Sequence, residues 1–429
     1  MLSRRQVPTG AAAAAGAAAV GAVASRFRGA SPDPPRPSIV VVLVDDMRFD
    51  YRGLLTVFDA GPWIDCTAAA AQTPICAPSR ASLLTGSYAW RTPVVGNESA
   101  AAMTALESDT VATHLSSAGY RTALVGKYQN QYPFDLGPEH VPPGWTDWAA
   151  LGSTGWHPGQ THETDHCFGW AADFVRSVEP TERFLLWVAP QLPHEPYRPP
   201  SRYRDAAVTT PPEPPSVDEA DVATKPPFVR MRPRLTTAER AGYLATRRLL
   251  AQDMLAIDDG MHQLVTALRQ AGRWESTVVI FTSDNSLTLG EHRLANKGFP
   301  YEESVHVPFV VRFPGVARRV ESQPISLVDV PVTIGALAGA AAPGPDGVDL
   351  VPLLTRGAWV REGAYLTPPD RLFWDGVRTA RYKYIEYEHG FHELYDLSVD
   401  PYELTNLAGH RDRVGVQRQL ADLLKDLRP

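Results

Sequence analysis

Several short stretches of this chain hold the side chains that could do chemistry together. Cys76-Ala77-Pro78-Ser79-Arg80 sets a single thiol before a proline turn, an arginine and a helix-like run that closes on Leu84-Thr85-Gly86. Asp45-Asp46 follows an apolar run ending at Val44, and Ser283-Asp284-Asn285 follows another ending at Thr282. Asp45, Asp46, Asp284 and Asn285 together offer carboxylates and an amide oxygen, a hard ligand set suited to Ca²⁺ or Mg²⁺ and poorly suited to zinc. Arg80, Lys127 and Lys297 are candidate cationic groups for stabilising negative charge, and His194 is a candidate general acid. Taken singly, each has a plain reading: an Asp pair after a strand makes a turn or a cap, and a Lys or His in a loop is solvated. Their coincidence at several strand ends argues against independent accidents.

Those strand ends are the elements that must position the groups. Ile39–Val44 is an uninterrupted, largely β-branched run, the mark of a strand buried on both faces. Arg121–Val125, Phe184–Ala189, Thr277–Thr282 and Val307–Phe313 read as further strands, with amphipathic segments between them. That alternation predicts an α/β fold, a mostly parallel sheet flanked by helices, and ligands in such sheets bind beyond the carboxyl ends of the strands. Helical periodicity is best over 236–270, where Thr236 and Glu239 form a capping-box pair, Leu250, Met254, Ile257, Met261, Leu264 and Leu268 share a face, and Gly272 ends the helix. Residues 211–234, rich in proline and charge, read as a long surface excursion. From about Pro343 the pattern changes: Val377–Tyr387 and His392–Leu397 predict an antiparallel hairpin and Val414–Leu427 a closing helix. The expected organisation is a leader over 1–30, a catalytic domain over 38–342 and a smaller α+β subdomain over 343–429.

The run from Cys76 to Gly86 resembles the sulfatase signature C-x-P-S-R-x-x-x-L-T-G at every defined position. Pro193-His194-Glu195-Pro196, Phe281 to Asn285, Leu289-Gly290-Glu291-His292, Lys297-Gly298, Tyr301-Glu302-Glu303-Ser304, Arg381 to Tyr384 and Glu393 to Leu397 extend the resemblance over most of 38–410. It implies an alkaline phosphatase-like fold and a sulfuric ester hydrolase. It further implies Cys76 oxidised to formylglycine by a maturation enzyme, and Ca²⁺ (or Mg²⁺) held by Asp45, Asp46, the matured Cys76, Asp284 and Asn285. Lys127, His194 and Lys297 would be catalytic, and Arg80 would orient the aldehyde hydrate. Gln129 stands where many members carry a histidine, so that role is open, and Ser286 replaces the usual glycine. Gly126-Lys127-Tyr128-Gln129-Asn130-Gln131-Tyr132 and Pro142-Pro143-Gly144-Trp145 are similar to the glucosamine-6-sulfatase group, which implies a sulfated carbohydrate with Gln129, Asn130 and His292 lining its pocket. Trp145, Trp148, Trp156 and His157 either stack on that sugar or, for the tryptophans, anchor the core. The rival readings are a phosphonate or phosphate diester hydrolase with the same nucleophile, and an inactive homologue that binds sulfated glycans.

Composition bounds these readings. The chain has 429 residues, 44% hydrophobic and 21% charged, a globular balance, and its net charge of −7 argues against nucleic acid as a partner. Its cysteines, Cys66, Cys76 and Cys167, are too few for a disulfide framework; Cys66 and Cys167 are expected as buried thiols, with pairing the alternative. Arg4-Arg5, the Ala/Gly run to Ala24 and Ala22-Val23-Ala24 resemble a Tat export leader, implying an exported protein. The apolar run is too short and weak for a membrane span, which needs about 20 strongly apolar residues.

Overall fold

The computed structural model describes residues 36–369 and 373–428; the expected leader lies outside them. From Pro37 on, the described residues form one compact unit. At its centre is an eight-stranded sheet, whose strands in chain order are β1 (Ser38–Val44), β2 (Trp63–Cys66), β3 (Arg121–Gly126), β4 (Asp147–Ala150), β5 (Phe184–Ala189), β6 (Thr277–Ser283), β7 (Phe309–Arg312) and β8 (Arg319–Glu321). Their spatial order is β8-β2-β7-β6-β1-β5-β3-β4. Every neighbouring pair is parallel except those made by β7, which runs against both β6 and β2. The run 307–313 is therefore a strand, as expected, but an antiparallel one. Short β2, β4 and β8 were not foreseen, because runs of three or four residues carry too little periodicity to stand out.

β1 sits mid-sheet, and its alternation divides the core. Ile39, Val41 and Leu43 pack with α1 (Cys76–Thr85), α2 (Val111–Ser117) and α5 (Asp329–Ala338) on one face. Val40, Val42 and Val44 pack with α3 (Glu163–Ser177) and α4 (Thr237–Gln270) on the other. Both faces are covered, so β1 is apolar throughout. The predicted capping box starts α4: Glu239 N–H donates to Thr236 Oγ1 at 3.2 Å, and Thr236 N–H donates to Glu239 Oε2 at 2.8 Å. All six residues of its predicted apolar face are buried. Cys66 and Cys167 are free and lie on opposite faces of the sheet.

Two expectations need correction. Residues 377–387 are not one hairpin arm: β10 (Trp374–Thr379) turns at Ala380-Arg381 into β11 (Tyr382–Tyr387), within a four-stranded antiparallel sheet completed by β9 (Gly363–Leu366) and β12 (His392–Asp396). The turn contains no Gly or Pro and is held by Thr379 Oγ1, which accepts from Tyr382 N–H at 2.8 Å. The closing helix, α6 (Val414–Leu427), packs Leu420 and Leu424 on this sheet as expected. The 211–234 excursion is not purely superficial, since Ser216, Lys225 and Val229 are fully buried. The Lys225 ammonium lies 4.9 and 4.8 Å from the ring centroids of Tyr301 and Tyr395, so the segment carries a cation into the C-terminal sheet's core.

Candidate active site

Parallel pairing of β1 with β6, Val44 opposite Ser283, sets Asp45-Asp46 beside Asp284-Asn285. Asp46 adopts φ +62°, the left-handed region, and its N–H donates to Asp284 Oδ1 at 3.1 Å. Pairing of β5 with β3 brings Lys127 to the same sheet end, its N–H donating to Ala189 O at 2.7 Å. Glycine is required just before it: Gly126 has φ +98° and a Cβ there would stand 2.1 Å from Ala189 O.

α1 enters this basin with Cys76 as its first residue and Ile75 at the N-cap. Ser79 lies inside the helix, and its Oγ donates to Asp284 O at 2.5 Å. One turn on from Cys76, Arg80 is buried, its Nε donating to Asp284 Oδ2 at 2.7 Å and its Nη1 to Lys127 O at 2.8 Å. Lys127 Nζ meets Asp45 Oδ2 at 2.6 Å, and Lys297 Nζ meets Asp46 Oδ1 and stands 2.8 Å from Cys76 Sγ. The thiol itself lies 3.6 Å from Asp45 Oδ1 and 3.7 Å from Asp46 Oδ1. His194 Nδ1 donates to Glu195 O at 2.6 Å, which leaves Nε2 facing Asp46 Oδ2 at 3.6 Å.

The charges are balanced. Asp45, Asp46 and Asp284 face Arg80, Lys127 and Lys297. Burial works against ionising Asp45, but Lys127 and Arg80 outweigh it and hold the carboxyl well below its usual range. Burial, with the charge of Asp45, pushes Asp284 up to about 6 despite Arg80. Burial and then Asp46 raise the Cys76 thiol well above its ordinary range, so as a thiol it is a poor nucleophile. The residues suit a hard divalent cation. Asp45, Asp46, Cys76 and His194 each offer an atom within 4.8 Å of the others. Asn285 Oδ1 is buried with no hydrogen-bond partner, an acceptor that a cation would satisfy.

A cleft of about 580 Å³ opens over the basin. Lys127, His194, Gln129 and Asn130 line it, as do Asn97, Glu98, Gln131, Tyr132, Leu151 and Gln191, which residue types alone did not flag. Asn97 Oδ1 accepts from Ala77 N–H at 3.0 Å, tying the cleft wall to the start of α1, a contact with no sequence signal. Gln129 is more a brace than a ligand for substrate: its Nε2 donates to Ala77 O at 2.9 Å and its Oε1 accepts from Asn130 N–H at 2.9 Å.

His292 is not on the cleft. It is fully buried, its Nδ1 is 2.7 Å from Glu219 Oε2, and its ring stacks on Tyr301. Burial and the nearby Lys225 lower it to about 4, against the pull of Glu219. It follows Glu291, which Arg48 and Arg247 hold beneath the same loop, so its place in the chain near Lys297 was misleading. Trp145 and Trp148 are core anchors, Trp156 packs against the other face, and none of them lines the cleft.

Residues 37–340 match the family model described as Sulfatase, and residues 290–429 match that described as N-sulphoglucosamine sulphohydrolase, C-terminal. The chain is 30% identical to an extracellular sulfatase SULF-1 homolog of Drosophila melanogaster over 76% of its own length, although it spans only 32% of that protein. It is 28% identical to the N-acetylglucosamine-6-sulfatase of Homo sapiens, covering 87% of this chain and 81% of that one. A solved structure described as in complex with its substrate D-glucosamine-2-N,6-O-disulfate superposes with a TM-score of 0.75 at 22% identity, over 91% of this chain and 97% of the other. The phosphonate monoester hydrolase of Agrobacterium radiobacter does so with a TM-score of 0.70 at 22% identity, over 91% and 95%. These likenesses bear out the expected alkaline phosphatase-like architecture. With the signature cysteine at the head of a buried helix and acidic residues at two adjacent strand ends, the chain belongs to the sulfatase family of sulfuric ester hydrolases.

Proposed function

We propose that this protein hydrolyses sulfate esters of carbohydrates of the 6-sulfated N-acetylglucosamine type, with Cys76 matured to formylglycine by a separate enzyme and Ca²⁺ or Mg²⁺ held by Asp45, Asp46, Asp284, Asn285 and the matured residue. The observation that carries it is the position of Cys76, buried at the head of α1 between two carboxylates and the Lys297 ammonium at the base of a cleft. When bound, the ion and the aldehyde hydrate supply neutralisation of the sulfuryl oxygens and a nucleophilic oxygen.

The protein's own side chains do the rest. Arg80 locks Asp284 and the Lys127 carbonyl, fixing the base of the site on the helix that carries residue 76. Lys127 and Lys297, held charged by Asp45 and Asp46, face charge building on the transferred group. His194, its Nδ1 committed to a backbone carbonyl, offers Nε2 as proton donor to the departing alcohol. Gln129 braces the start of α1 where many members have histidine. Residues 38–342 would form the catalytic domain and 343–429 its C-terminal subdomain. The Arg4-Arg5 leader would export the protein by the Tat route, and replacing both arginines by lysine should strand it inside the cell. Among the described residues no helix is long and apolar enough to cross a membrane.

Mass spectrometry of the peptide containing residue 76 tests the nucleophile: active protein should show CHO in place of CH₂SH. Fully active protein with an intact thiol would refute it. Matched sulfate and phosphate esters separate this reading from a phosphonate or phosphate diester hydrolase, and any turnover at all removes the inactive-binder reading.

A further inference from the structure

The cleft is cationic only at its base. Among the described residues lining it, Lys127 is the only Lys or Arg, and its ammonium is already engaged by Asp45 at 2.6 Å. Arg80 is buried and committed to Asp284, and Lys297 to Asp46. Above that level the walls carry the side-chain amides of Gln131 and Gln191, the Tyr132 phenol, and one exposed carboxylate, Glu98. Asn130 Oδ1, also on the wall, is buried with no hydrogen-bond partner. An unmet amide oxygen and a carboxylate both ask for donors: a hydroxyl, an amide N–H or an ammonium. Neither welcomes a second anion, and among the described lining residues no unengaged Lys or Arg would compensate one.

From this we infer that Glu98 is a specificity-determining residue. It restricts the enzyme to sulfate monoesters whose remaining groups are neutral or cationic donors, and it discriminates against substrates with a second sulfate or a carboxylate next to the scissile group. The inference rests on the sulfatase reading above and narrows its substrate class. D-glucosamine-2-N,6-O-disulfate, the substrate named for a structural neighbour, is thus expected to be a poor substrate here. A carboxylate in a solvent-open cleft facing a second anion a few ångströms away changes affinity on the order of five- to tenfold at low salt, and less as salt screens it.

The experiment measures kcat/KM of the matured, metal-loaded protein on 6-sulfated N-acetylglucosamine and on D-glucosamine-2-N,6-O-disulfate, at low and high salt, for wild type, Glu98→Gln and Glu98→Lys. The wild type should prefer the monosulfated sugar. Glu98→Gln should cut that preference about five- to tenfold at low salt, mainly through KM of the disulfated sugar, and Glu98→Lys should cut it further. High salt should shrink both effects. A preference ratio unchanged across the three proteins, with thermal midpoints also unchanged, would overturn the inference. If the wild type hydrolyses neither sugar but does hydrolyse aryl sulfates, the carbohydrate reading falls. Glu98 is then scored on an aryl sulfate with and without a ring carboxylate: the same shift sustains the inference and no shift overturns it. A matured protein that hydrolyses no sulfate ester defeats both.

Discussion

Two buried clusters of this protein look alike as lists of residues and differ in what they can do. In the basin, Asp45, Asp46, Cys76 and His194 converge within 4.8 Å; a second group, His292, Glu303 and Glu403, does the same on the side of the C-terminal sheet. Both are flanked by lysines. The basin opens into a cleft lined by Lys127 and His194, and its helix brings Cys76 to the carboxylates beneath. The second cluster is sealed. Tyr301 stacks on His292, Ser216 Oγ donates to Glu303 Oε1 at 2.7 Å, and Lys383 Nζ binds Glu403 Oε1 at 2.7 Å and Glu302 Oε1 at 2.9 Å. Burial raises Glu303 to about 7 and Glu403 to about 8, so these carboxyls hold protons where ordinary ones do not. Ligand-type residues at close quarters therefore do not define a site; access does.

That contrast can be broken at several points. The largest effect should follow Asp45→Asn, which removes the partner of Lys127 and a candidate ligand. Turnover should fall roughly a thousandfold or more while far-UV circular dichroism stays native. Calcium titration should show a single site that this substitution weakens. A second site abolished by Glu303→Gln would make the sealed cluster a metal centre and end the distinction. Next, His194→Ala should cost roughly a hundredfold on a sugar sulfate, whose alcohol needs a proton, and far less on an activated aryl sulfate. Equal losses on both would remove His194 from the acid role.

The sealed cluster should respond in stability instead. Lys383→Met leaves Glu403 without its buried cation, while Glu302 keeps Arg378, and should cost about 3 kcal/mol in denaturant unfolding. Turnover per folded molecule should stay within about a factor of two, because distant sites act nearly independently. A selective loss of activity would show that the two clusters are coupled through the Lys297 loop.

The smallest effect isolates charge balance. Asp253, in the middle of α4, is fully buried with both carboxyl oxygens unpartnered, and burial raises it to about 8. The folded state then keeps a proton that the unfolded chain has released, so stability falls as pH rises between the ordinary aspartate range and about 8. Asp253→Asn should remove that part of the slope and raise the thermal midpoint at alkaline pH by about 2–4 °C. An unchanged pH profile would show that Asp253 has a partner after all.

Much of this protein was legible residue by residue, because the properties concerned are local. The β-branched run of β1, the capping box of Thr236 and Glu239, the apolar face of α4 and the arms of the β11–β12 hairpin each depend on neighbours a few positions away. Motif spacing likewise picked out Cys76, Asp45, Asp46, Asp284, Lys127, His194 and Lys297, which the structure brings to one sheet end. Other features are relations between distant segments, and spacing along the chain does not encode them. The β1–β6 register set Asp45-Asp46 against Asp284-Asn285. Packing of the 211–234 excursion on the C-terminal sheet buried Lys225 and drew His292 away from the cleft toward Glu219. Glu98 and Gln191, far apart in the chain, became parts of one cleft only because Asn97 packs on the start of α1, at the sheet end where β5 also finishes. Local chemistry follows from residue type and short-range spacing, whereas which groups meet, and whether water or substrate reaches them, is decided by long-range packing.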